Sequence, residues 1–174
     1  MKLSEKTLKV LSRIIIGAIV VFSLPISATS AKYYIDNKTS YFINNQTWTT
    51  APTGGDTIFI QADRTRALRF QLMNGTDEAP IVVINSGGQV QINTEAWGAI
   101  VFENCTHIKI SGRGVEGIQY GFTLAAASCG LAFSELSSDC EAENLFIDHD
   151  GFFGIFAKKT TVAIRRHQLR FFLI

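Results

Sequence analysis

The chain has 174 residues, 47% of them hydrophobic, enough for one domain with one sizeable core. Sixteen basic and 15 acidic residues leave a formal charge of +1, which gives no electrostatic reason to expect a nucleic-acid partner. The three cysteines, Cys105, Cys129 and Cys140, lack C-x-x-C spacing, which argues against a zinc site; they read as small buried fillers rather than as one bridge plus an odd thiol.

Residues 1–31 have the three-part layout of a secretory signal peptide. Lys2, Lys6, Lys9 and Arg13 make a basic start, Ile14–Leu24 is an uncharged apolar run, and small residues from Ser27 to Ala31 follow Pro25. Eleven apolar residues fall short of the ~20 that span a bilayer, so cleavage after Ala31 is expected, with no stable membrane span afterwards. Export places the product outside the cytoplasm: secreted, periplasmic or on the cell surface.

The remainder reads as short strands separated by short polar corners. Lys32–Thr50 is rich in aromatics, Asn and Thr, with Tyr33-Tyr34-Ile35 as a first strand; it suits an N-terminal cap better than a sugar-stacking platform. Pro52-Thr53-Gly54-Gly55-Asp56 is a turn before the strand Thr57–Ile60. Strands are then predicted at Ala67–Leu72, Pro80–Ile84 and Gln89–Asn93. Ala99–Phe102 and His107–Ile110 follow, flanking the corner Glu103–Thr106. After an insertion loop at Arg113–Gln119 the pattern resumes at Tyr120–Leu124, Gly130–Phe133, Ala142–Ile147 and Gly151–Ala157. No sustained 3.6-residue apolar period occurs beyond the signal segment.

An antiparallel sandwich would want hairpin turns and clean two-sided alternation; stacked short strands with polar corners suit a parallel solenoid. Equivalent positions recur at 26 residues (Ile84 to Ile110), 37 (Ile110 to Ile147) and 22 (Phe133 to Ile155). Asn85, Asn93, Asn104 and Asn144 lie at or beside strand ends, where stacked Asn would form side-chain ladders. Phe102, Ile108 and Ile110 are expected in the stacked core.

The runs GDTIFI (55–60), EAPIVVIN (78–85), GAIVFENCTHIKISG (98–112) and GLAFSELSSDCEAENLFIDHDGFFGI (130–155) carry a resemblance. They resemble secreted right-handed parallel β-helix proteins of the pectate-lyase-like superfamily, of the type common in Bacteroidetes. The resemblance covers roughly Asp56 to Lys159 and implies an all-β, right-handed parallel β-helix there; with its N-terminal cap the solenoid domain is expected over residues 32–159. The resemblance also implies that coils are missing, because the pattern stops at Lys159. Residues 160–174 are basic and glycine-free, and read as a disordered or out-of-frame tail of an N-terminal fragment, or as a short capping helix. The superfamily hosts many activities, so the resemblance fixes fold more than function.

What the resemblance implies for chemistry falls on Asp148-His149-Asp150 and on Lys158 and Lys159. In lyases of this fold carboxylates hold Ca²⁺ and a Lys or Arg removes the proton beside a uronate carboxylate. Asp148, Asp150 and Lys158 are therefore the candidate catalytic residues, and an acid pair would alternatively suit glycoside hydrolysis. Arg64 and Arg66 alternate onto one face and, with His149, are the candidates for gripping an acidic sugar; a solvated face is the plainer reading of the two arginines. A D-H-D-G run equally builds a polar corner. Three functional expectations follow: a polysaccharide lyase or glycoside hydrolase acting on acidic glycans, a binding or adhesion module for polysaccharide, or an inactive gene fragment.

Overall fold

The computed structural model describes residues 29–148, 152–158, 162–164 and 169–172; residues 1–28 of the signal-like segment, His149, Asp150 and Lys159 lie outside them. The described residues form strands β1 (Lys32–Ile35), β2 (Phe42–Asn44), β3 (Thr57–Gln61), β4 (Leu68–Gln71), β5 (Ile81–Ser86), β6 (Val90–Thr94), β7 (Gly98–Glu103) and β8 (Ile108–Ser111). They continue as β9 (Phe122–Ala126), β10 (Cys129–Ser134), β11 (Cys140–Glu143), β12 (Leu145–Asp148), β13 (Phe153–Ala157), β14 (Val162–Ile164) and β15 (Leu169–Phe172). Three sheets result: sheet A in the order β1-β3-β5-β8-β11-β14, sheet B in the order β2-β4-β7-β10-β13, and sheet C in the order β6-β9-β12-β15. Every strand pair is parallel, so the chain is a β-solenoid of about five turns. The first two turns pass directly from sheet A to sheet B; from β5 onward each turn visits A, C and B.

The β-branched residues supply the inward face. Ile58 and Ile60, Ile81 and Val83, and Ile108 and Ile110 occupy alternate positions in sheet A and are buried, each turn covering the apolar side of the next. Phe70, Phe102 and Phe133 stack as a ring ladder with centroids 5.1 and 5.4 Å apart and planes within 12°. Offset ring stacking adds to the burial each ring already contributes. The corners stack too. Thr106 N–H donates to Met73 O and Ser138 N–H to Cys105 O, each at 3.0 Å, which carries the backbone pairing through the bend. Leu72, Asn104 and Glu135 each follow a sheet B strand with φ of 62°, 51° and 58°. A left-handed residue at this place turns the chain towards sheet A in three successive turns.

Several expectations are corrected. The register partners are Val83 with Ile110, Ile110 with Ala142, and Phe133 with Ala157, not the pairs spaced by 26, 37 and 22 residues. The cause is the corner between sheets A and C, which holds residues 87–89 in one turn, 112–121 in the next and Asn144 alone in the third. Ala142–Ile147 is accordingly two strands bent at Asn144, whose φ is 56°. The Asn residues form no common ladder. Asn85 is buried and bonds Gly88 O and Gly114 N–H, Asn144 bonds Gln119 O and Arg113 Nε, Asn104 sits in a different corner, and Asn93 is exposed in β6. Within 160–174, β14 pairs with β11 and β15 with β12, so the described part of the tail continues the solenoid instead of capping it with a helix.

Candidate functional site

Sheet B positions the site. Its outward residues run in register as Phe42, Arg69, Val101, Ala132 and Phe156 across all five strands. Two residues further along, Asn44, Gln71, Glu103 and Ser134 form a second row. Strand alternation slips in β7, where Ala99 and Ile100 both face the core, and in β10, where a Cβ on Gly130 would meet the Ile147 side chain at 2.5 Å. The slip turns Cys129 outward, where it joins Val101 and Ala132 in a small apolar floor against which Phe156 packs.

Charge is concentrated beside that floor. Arg69 Nη2 meets Glu103 Oε1 at 2.7 Å, and the arginine head lies 5.8 Å from the centre of the Phe42 ring. The other Glu103 oxygen accepts from Gln71 Nε2 at 3.5 Å, and Gln71 Oε1 accepts from Asn44 Nδ2 at 2.7 Å. Arg69 Nε, shielded from water, has no hydrogen-bond partner. Aromatic walls rise at both ends: Tyr41 on one side, Trp97 and Phe156 on the other, the last two edge to face at 5.5 Å and 82°. The open groove between them measures about 380 Å³ and is completed by Glu135 and Lys158. A second hollow of about 440 Å³ shares Tyr41 and runs over Arg66 and Asn93. The first lies across sheet B, whose five strands span about 19 Å at ordinary strand spacing, and the second beside it, over the residues that lead into β4 and β7.

The candidates read from sequence fare unequally. Lys158 lines the groove and its backbone N–H donates to Phe133 O at 3.1 Å. Arg66 lines the adjoining hollow. Asp148, in contrast, ends β12 in sheet C and pairs with Phe172, so it does not stack on Lys158, which belongs to the next face of the same turn. His149 and Asp150 lie outside the described residues. Arg64 is fully buried, contrary to its reading as a surface grip. Its guanidinium donates to the carbonyls of Arg66, Asp36, Thr39, Ser40 and Ala67, at 2.6–3.5 Å. Burial lowers its pKa from the ordinary arginine value. It clasps the first two corners together and is out of reach of a ligand.

The other chemistry-bearing groups are structural. Cys105, Cys129 and Cys140 are free and buried, and burial pushes their thiols up to about 12, 11 and 11. On sheet A, Glu143 accepts from the Ser111 hydroxyl at 2.8 Å and lies 3.3 Å from Lys109 and 3.7 Å from Arg113. Burial pushes its pKa up, but the Ser111 bond and the two cations outweigh this and the net shift is downward. Among the described residues no three His, Cys, Asp or Glu converge to hold a metal ion, so no Ca²⁺ site is assembled from them. Nor is any helix of the described residues long and apolar enough to cross a membrane.

No family model, curated protein or solved structure matches the chain. The site therefore rests on geometry. Arg69 belongs with Arg64 and Arg66 to the arginine cluster that the sequence offers for gripping a uronate, whereas Tyr41, Trp97, Glu103 and Phe156 escape sequence reasoning because they are scattered over 116 positions and meet only where sheet B strands and the residues just before them stack.

Proposed function

We propose that the protein is an exported β-solenoid, of the pectate-lyase-like kind, that binds a polysaccharide along the outer face of sheet B. The observation that carries the reading is the aromatic-walled groove with the Arg69–Glu103 pair on its floor. Pyranose rings present apolar C–H faces that pack on the negative faces of aromatic rings, and their hydroxyls need donors and acceptors in fixed positions. Trp97 and Tyr41 supply the first requirement. The amide and carboxylate row from Asn44 to Glu103 supplies the second. Lys158 and Arg66, one in each hollow, would meet carboxylates of an acidic glycan laid along the axis.

Binding is favoured over cleavage because both oxygens of Glu103 are already engaged: it is 9% exposed and held by Arg69 and Gln71. Retention of the purified protein on immobilised polygalacturonate, alginate and xylan tests the reading. Retention of the wild type on at least one of them, with at least tenfold weaker binding by W97A, is expected. Equal retention of both proteins, or none on any matrix, would remove the groove from consideration. Unsaturated products appearing in the same incubations would favour a lyase instead.

A further inference from the structure

Asp56 closes the turn before β3 and is only 6% exposed. Its Oδ2 accepts from Thr53 N–H at 2.9 Å and from Thr53 Oγ1 at 3.3 Å. Its Oδ1 accepts from the backbone N–H of Ala31 at 2.7 Å, across one turn of the solenoid. Among the described residues Asp56 takes part in no ion pair, so a buried carboxylate stands without a cation. Its three hydrogen bonds all come from neutral donors, so a positive group at Oδ1 would add a charge-assisted bond.

Ala31 is held at both of its backbone atoms. Besides the bond to Asp56, its carbonyl accepts from Thr57 N–H at 3.0 Å, the first rung of the ladder that continues with Lys32 and Thr57. Thr29 and Ser30, just before it, are exposed. A cut after Ala31 would remove both bonds, leaving Asp56 Oδ1 and Thr57 N–H without these partners. A cut after Ser30 keeps both and turns the amide nitrogen into an ammonium against Oδ1. The residues before that bond, Ala28-Thr29-Ser30, have the small-x-small pattern that leader peptidases accept. A cut after Ala28 would put Ile26 in the place of the first small residue.

We propose that the chain is processed between Ser30 and Ala31, and that the new α-ammonium of Ala31 is the missing cation of Asp56. The step is a hydrolysis by a leader peptidase. Water adds across the Ser30 carbonyl and the Ala31 nitrogen, the C–N bond breaks, Ser30 leaves as a carboxylate, and the nitrogen becomes an amine protonated at neutral pH. The neutral N–H bond is thereby replaced by a charge-assisted one. The mature N-terminus is thus built into the fold as the lock on the first strand.

The proposal rests on the export part of the proposed function, and the test separates the two. The full chain is expressed in an exporting bacterial host, and the soluble product is read by intact mass and N-terminal sequencing. A product beginning Ala31-Lys32-Tyr33 is expected. A product beginning at Thr29 or Lys32 overturns the cut site but leaves export standing; an uncut chain retained in the cytoplasm overturns both. The salt bridge is tested with D56N placed in proteins that begin at Ala31 and at Thr29. The loss in folding equilibrium constant should be about fivefold larger in the Ala31 form, because only that form loses a charge-assisted bond. Equal losses would overturn the seat on Asp56. Should D56N fail to fold, N-terminal acetylation of the Ala31 form replaces it: a lowered Tm supports the seat and an unchanged Tm overturns it.

Discussion

Sheets A and B are both five- or six-stranded parallel faces of one solenoid, yet their outer surfaces are finished differently. On sheet A the charges of β8 and β11 are matched to one another: Lys109 lies between Glu141 and Glu143, and Ser111 and Arg113 complete the set around Glu143. On sheet B the pair Arg69–Glu103 sits at the bottom of a groove whose rims carry exposed rings, with Trp97 at 47% and Tyr41 at 37% exposure. A surface whose groups satisfy each other contributes to holding the turns in register. Exposed rings alone do not set sheet B apart, since Tyr34 on sheet A is 61% exposed; what does is that its rings gather around a groove, which under the proposed reading a ligand would fill.

If this division is right, substitutions sort by what they damage. The largest loss of stability is expected from R64A, which removes a buried side chain bonded to five carbonyls; about 4 kcal/mol or more should vanish in denaturant unfolding. A loss below about 1 kcal/mol would mean that the clasp is decorative. On sheet A, E143Q should cost about 1–2 kcal/mol at neutral pH with no effect on glycan retention. The sign of its pH dependence follows from the lowered folded pKa of Glu143. Its stabilisation is present above the unfolded value of about 4.3 and fades as pH falls through the lower folded value, so E143Q should flatten that part of the acid limb. On sheet B, W97A should do the reverse, weakening binding at least tenfold while shifting stability by no more than about 0.5 kcal/mol. Least visible of all, the three thiols should stay unlabelled by thiol reagents at pH 8 until the protein unfolds, since burial keeps them protonated.

The contrast also explains what the sequence displays and what it conceals. Phe102, Ile108 and Ile110 are legible as core because β-branched and aromatic residues in short alternating runs have few other uses, and all three are buried. The fillers Cys105, Cys129 and Cys140 are legible for a similar reason. Register is concealed, because an extended corner at 112–121 and a single-residue corner at Asn144 stretch and shrink the repeat. Arg64 is concealed for a different one. A D-R-T-R run looks like a solvated face, and only the fold brings the carbonyls of Asp36 and Thr39 to its guanidinium. The groove needs the register as well: Arg69 and Glu103 are 34 residues apart in sequence and become partners only when β4 stacks on β7. Lys158 lines the groove, whereas Asp148, the other described candidate for catalysis, sits on another sheet.

The measurement that addresses the division most directly is backbone and side-chain chemical-shift mapping during titration with oligogalacturonate, with a xylan oligosaccharide as the uncharged comparison. Shifts confined to Tyr41, Arg69, Trp97, Val101, Glu103 and Phe156 are expected, while Tyr34, Phe59 and Lys109 on sheet A stay still. Saturable shifts centred on sheet A, or none on either face with either oligosaccharide, would contradict the assignment of sheet B as the binding surface.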